Sequence, residues 1–233
     1  VYFARKNSSI LRLGRTRYDG KALLRACTNG SSEFMSNVSM SLVGMLYNLQ
    51  LIEYAGDDGI AAYGVMMYVS MIFSAVFIGY SIGSAPVISY HHGARNYGEL
   101  HGLLRRSLVL ISVGAVVMFA AAEWLAAPLA RIFVSYSAPL LDMTVHGFRI
   151  FSLAFLFMGF AIFSSSFFTA LNDGLTSALI SFLRTLVFQT GAVLLLPLAL
   201  GLDGIWYSVV AAELMAVVFS AIFLIAKRKK YHY

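Results

Sequence analysis

Long apolar runs broken by short polar turns dominate the chain. Six of them reach the roughly 20 residues a helix needs to cross hydrocarbon: about 28–54, 60–90, 103–123, 143–171, 175–199 and 205–226. Ala55-Gly-Asp-Asp-Gly59, Asn172-Asp-Gly174 and Leu200-Gly-Leu-Asp-Gly204 are tight turns by their Gly, Asn and Asp content. His91 to Gly102 reads as a polar loop, and 125–141, with Pro128 and Pro139, as a loop or short surface helix. Gly79 and Gly83, with Ser84 and Ala85, supply small residues of the kind that let helix backbones approach. The pattern predicts an all-α membrane protein with six transmembrane helices.

The first run differs from a simple anchor. At 3.6 residues per turn Asn29, Glu33, Asn37, Ser41, Gly44 and Asn48 fall within one arc, while Phe34, Met35, Val38, Leu42 and Leu49 occupy other faces. Polar and ionisable groups inside a membrane are costly and mark function by default. The stripe therefore requires water, an ion or another helix.

Composition agrees with this class. Hydrophobic residues make up 59% and charged ones 12% of 233 positions, with mean hydropathy +0.77; a soluble domain is nearer a quarter charged. One cysteine, Cys27, excludes an internal disulfide. Charge is distributed unevenly. Residues 1–26, the 91–106 loop, the 172–184 region and the C-terminal run hold 15 of the 17 Lys and Arg, leaving Arg131 and Arg149 for the other side. The positive-inside rule then places both termini in the cytosol, in a multi-pass protein of the plasma (inner) membrane. Domain boundaries follow: 1–26 a cytosolic basic linker with an amphipathic portion at Ser9 to Leu13, 27–227 the six-helix lobe, and 228–233 a cytosolic tail. The basic ends suit anionic lipid headgroups and not nucleic acid.

Several stretches carry a family likeness. Asn29-Gly-Ser-Ser-Glu-Phe34 opens the polar helix. Gly83-Ser-Ala-Pro-Val-Ile-Ser-Tyr-His-His-Gly-Ala-Arg-Asn96 follows, then Glu99-Leu100 and Leu104-Arg-Arg-Ser107. Ser181-Phe-Leu-Arg184, Gly201-Leu-Asp-Gly-Ile-Trp206 and Ala212-Glu213 complete the set. In order and spacing these resemble the second half of multidrug and toxic compound extrusion (MATE) transporters of the multidrug-efflux branch, from about Tyr2 to Lys227. The resemblance implies a twelve-helix fold of two six-helix halves. This chain would be the C-terminal half, with the N-terminal six-helix lobe as a missing partner. It also implies cation-coupled antiport, with H⁺ or Na⁺ as coupling ion and small organic cations as substrate, and no cofactor.

The candidate site residues are Glu33, Asn37, Ser41, Asn48, Glu213 and Arg184. Glu33 would exchange a proton or bind Na⁺, or else reach cytosolic water from the first turns of its helix. Asn37 and Asn48 suit either a wet cavity wall or helix–helix hydrogen bonds, and Ser36, Ser39 and Ser41 suit packing. Glu213, eight residues after Ile205, is either a coupling acid or locked internally to Arg184 or Gln189. Phe151, Phe155, Phe163, Phe167, Phe168 and Met158, with Met40, Met45, Met66, Met67 and Met71, either hold flat lipophilic cations through apolar and cation–π contact or serve lipid contact and core packing. His91-His92 lacks a Cys or acidic partner at ligand spacing and is no metal site. The absence of a phosphate loop, nucleophile elbow or paired catalytic carboxylates argues against an enzyme. The alternatives to drug export are a related lipid-linked sugar exporter or flippase and a non-transporting six-helix membrane scaffold. A pyrophosphate cavity would require several inward Arg or Lys, and only Arg184 is clearly intramembrane.

Overall fold

The structure, a computed structural model, describes residues 19–233, and within them all side chains but those of Ala22, Asn29, Ser32, Glu33, Met35 and Ser36. Its elements are α1 (Gly20–Gly93), α2 (Tyr97–Val134), α3 (Ala138–Ser152), α4 (Phe155–Ala170), α5 (Gly174–Phe182), a π-turn (Leu183–Phe188), α6 (Gln189–Leu200) and α7 (Leu202–Tyr231). Among the described residues there is no strand.

α1 is 74 residues long. Straight, it would measure about 110 Å, several times the hydrocarbon thickness. Instead it folds back at Gly56, whose φ of 62° and ψ of −151° are accessible only without a Cβ. The rings of Tyr47 and Tyr63 prove the reversal. They stack 5.0 Å apart, where a straight helix would separate these positions by about 24 Å. The two arms, 20–55 and 57–93, are thus two spans. α3 and α4 meet at 48° and make one bent span, and α5 to α6 run as another across the π-turn. With α2 and α7 the total is the six predicted.

Some boundaries differ from the sequence reading. The polar loop from His91 shrinks to 94–96, because α1 continues to Gly93 and Asn96 caps α2, its side chain accepting from the Glu99 N–H. The segment 125–141, expected as a loop or short surface helix, is mostly the continuation of α2, which passes through Pro128 to Val134, as membrane helices tolerate when neighbours re-satisfy the freed backbone. α1 begins at Gly20, inside the expected linker, while the linker's residues 1–18, with Ser9 to Leu13, lie outside the described part. In the tail 228–233, α7 continues to Tyr231, and Tyr231 and Tyr233 are buried against the lobe.

α4 is the central rod, in contact with α1, α2, α5 and α7. Of the two readings of the 143–171 aromatics, this placement selects core packing. Phe151, Phe155, Phe163, Phe167, Phe168 and Met158 are all buried core, because every face of α4 has a helix against it. Phe73 meets Phe155 with ring centres 5.1 Å apart, and Gly159 admits Phe77: a Cβ there would fall 2.6 Å from that ring. Met66 is likewise buried, whereas Met40, Met45, Met67 and Met71 are exposed. Gly79 and Gly83 are exposed, with no described atom within 4 Å of where a Cβ would stand.

Candidate functional site: a polar stripe and a buried ion pair

The first arm of α1 divides into three sectors at about 100° per residue. Ser39, Val43, Tyr47 and Leu51 are buried and face the lobe. Phe34, Val38, Leu42, Met45, Leu49 and Ile52 are large, apolar and exposed. Asn37, Ser41, Gly44 and Asn48 run between these two sectors, with Asn37, Ser41 and Asn48 exposed. From Asn37 to Asn48 the predicted stripe is thus largely exposed on this lobe. Within it, the Ser41 hydroxyl donates to the Asn37 carbonyl at 3.4 Å. The helix containing Asn29 and Glu33 is described, but their side chains lie outside the described part. On the buried sector, Tyr47 and Ser208 share a hydrogen bond of 2.6 Å between α1 and α7.

Arg184 and Glu213 are bonded to each other. Arg184 Nε donates to Glu213 Oε1 at 3.0 Å and Oε2 at 2.9 Å, and its Nη2 donates to Oε1 at 2.7 Å. The Glu213 side chain is 1% exposed and that of Arg184 18%. Arg184 lies in the π-turn, where the extra residue rotates the register; such turns recur at functional sites. Of the two lock partners considered, the structure selects Arg184. The fork engages the Arg184 guanidinium with the Glu213 carboxylate.

Features that carry no motif hold the rest together. Ser165 Oγ lies 2.9 Å from both Ser177 Oγ and Ser181 Oγ, and Thr169 Oγ1 lies 2.6 Å from Ser177 Oγ. This ladder of hydroxyls joins α4 to α5. Asp173, the N-cap of α5, accepts from the Tyr231 hydroxyl at 2.7 Å and from Lys227 Nζ at 3.3 Å. Burial pushes the Asp173 carboxyl up, but the hydrogen bonds from Tyr231 and Thr176 and the charge of Lys227 outweigh it and hold the group below its usual 3.8. Sequence reading placed Asp173 only in a turn and Tyr231 in a tail; no local signal pairs residues so far apart. At the other end, Ser152 Oγ donates to Glu123 Oε1 at 2.5 Å, beside the bend between α3 and α4. Among the described residues no group of three or more His, Cys, Asp or Glu could hold a metal ion.

The MatE family model matches residues 34–193. No curated protein matches the chain. A MATE crystal structure in complex with MaL6 matches with TM-score 0.88 at 18% identity, covering 97% of this chain and 51% of that one. The outward-facing conformation of a multidrug resistance MATE family transporter of the MOP superfamily matches with TM-score 0.86 at 19% identity, over 97% and 51%. The inward-facing conformation under the same description gives 0.81 at 19%, over 93% and 50%. The chain spans about half the length of the solved structures it matches. With most of its length matched by the family model and its six-span lobe superposing on half of a MATE protein, the chain belongs to the MatE family of membrane transporters.

Proposed function

We propose that this chain is the C-terminal lobe of a cation-coupled antiporter that exports organic cations by alternating access, with a second six-helix lobe as partner. The observation that carries this reading is the Asn37–Ser41–Asn48 stripe, exposed on a spanning helix between a packed and an apolar sector. Amides and hydroxyls in that position are stable against a wet cavity or a polar partner helix and costly against hydrocarbon. Glu33, one turn before Asn37, supplies the coupling carboxylate for H⁺ or Na⁺. Likeness to both outward- and inward-facing relatives fits a lobe that keeps its shape while it rocks, the usual logic of repeat-built carriers. The Lys and Arg distribution supports a plasma (inner) membrane protein with both ends of this chain cytosolic.

The test is efflux of a fluorescent lipophilic cation from cells making the full-length protein and its Glu33→Gln form at matched expression. Loss of efflux in the variant is expected, and equal efflux would sink the coupling role. Imposed ΔpH and Na⁺ gradients in proteoliposomes then separate the two ions. Export of lipid-linked pyrophosphates is disfavoured, because Arg184, the cation that would serve it, is already committed to Glu213.

A further inference from the structure

The end of the lobe bearing the 55–59 and 200–204 turns is acidic. Glu53, Asp57, Asp58, Glu123, Asp142 and Asp203 lie there against two arginines, Arg131 and Arg149. Those two arginines come from different helices, α2 and α3, yet they line a single cleft of about 280 Å³. Asp142 and His146 line it with them, and Ala127 and Leu141 add apolar wall. The His146 imidazole meets Asp203 at 2.9 Å, which anchors it at the start of α7. Neither guanidinium, nor the Asp142 carboxylate, has an ion pair or side-chain hydrogen bond among the described residues.

Two unpaired guanidiniums in one small cleft repel each other unless an anion lies between them, and their planar forks suit phosphate. Asp142 changes the match. A simple anion would be opposed by it, whereas a zwitterion with an ammonium a few bonds from its phosphate satisfies all three charges. Depth agrees with a headgroup. The Glu123–Ser152 contact sets one level on both helices, and there Trp124 is 81% exposed, as an interfacial indole is. Arg131 follows seven residues later, about 10 Å further out along α2. The cleft thus spans the layer between hydrocarbon and bulk water.

We propose that this cleft binds a phosphoethanolamine headgroup, with the phosphate on Arg131 and Arg149 and the ammonium on Asp142, and that its source is a lipid of the adjoining leaflet. The inference does not depend on which substrate or ion the transporter uses.

The experiment uses the full-length protein, delipidated in detergent and then given phosphatidylethanolamine, phosphatidylglycerol, phosphatidylcholine or water-soluble glycerophosphoethanolamine. Native mass spectrometry reads bound lipid, and thermal unfolding reads protection. Phosphatidylethanolamine should be retained best and protect most. Arg131→Gln with Arg149→Gln should cut its retention by about tenfold or more, as two charge-assisted contacts are lost. Asp142→Asn should erase the preference over phosphatidylglycerol. All three side chains are exposed, so the variants should fold, and unchanged unfolding without lipid checks this. The proposal is overturned if the double variant keeps phosphatidylethanolamine as well as the parent, or if phosphatidylcholine protects equally. Equal binding of glycerophosphoethanolamine supports the headgroup chemistry but overturns the lipid as its source.

Discussion

Replacing Arg184 with Leu should be the most damaging single change in the lobe. It removes three hydrogen bonds of 2.7–3.0 Å from a carboxylate that is 1% exposed. No other charged group lies within ion-pair distance of Glu213 among the described residues. Breaking a buried pair in this way costs about 3–5 kcal/mol, because an uncompensated charge is left behind. For a domain of this size each kcal/mol shifts the midpoint by roughly 2–4 °C, so melting should fall by about 6–20 °C. Removing both charges is a different perturbation. Well-packed apolar replacements of a buried pair are often neutral or stabilising, so Arg184→Leu/Glu213→Leu should recover most of the loss. Thermal unfolding in detergent, followed by fluorescence-detected size exclusion, measures all three variants and closes a double-mutant cycle. The reasoning fails if Arg184→Leu melts with the parent, or if the double variant is no better than the single. A further readout separates structure from transport. If the pair is only a lock, the double variant keeps efflux per folded molecule. Restored stability with abolished efflux would assign the pair to coupling.

Four smaller predictions follow from the same geometry. Asn48→Ala should lower efflux of a lipophilic cation while leaving the melting temperature within about 1 °C, since Asn48 is exposed; a large stability loss with normal efflux would count against the cavity reading. Tyr47→Phe removes the 2.6 Å bond to Ser208 and should cost about 0.6 kcal/mol, the usual membrane value; thermal unfolding of this variant and Ser208→Ala checks it. Gly159→Val drives a side chain into Phe77 and should cost about 1–3 kcal/mol by overpacking, with partial rescue by Phe77→Leu. Asp173 has its folded pKa below the unfolded 3.8. Its contribution is therefore present above that value and lost as pH falls through the folded pKa. Melting followed from pH 7 down past 3.8 should decline less steeply in Asp173→Asn than in the parent.

What was legible from sequence was whatever is written in a local period. The six spans followed from apolar run length, and the stripe Asn37–Ser41–Asn48 from helical spacing. The Arg184–Glu213 lock was accessible because two opposite charges in adjacent hydrophobic runs have few other partners. Three things were not legible, each for a physical reason. The Phe faces of α4 carry the same composition whether they line a cavity or a core, and only the neighbours of α4 decide; here they are core. Gly79 and Gly83 fit a packing motif, but a motif does not say which chain packs, and among the described residues nothing stands against them. Asp173 and Tyr231 are 58 positions apart and meet because α5 and α7 converge at one end, which no periodicity encodes.

The exposed features of the second arm of α1 fit with those of the first. Gly79 and Gly83 leave open surface on one arm, and Asn37, Ser41 and Asn48 leave polar surface on the other. Inside the lobe several polar groups are paired: Arg184 with Glu213, Asp173 with Tyr231 and Lys227, Ser165 with Ser177 and Ser181; Thr190 Oγ1, Trp206 Nε1 and Ser220 Oγ are buried without a partner among the described residues. The glycine step and the exposed Asn37–Ser41–Asn48 face are the surfaces that the proposed second lobe would meet. The small residues permit close backbone approach, and the amides require water or polar partners. Both demands would be met if the proposed second lobe packed along the glycines and stood away from the amides, leaving a wet crevice beside the contact.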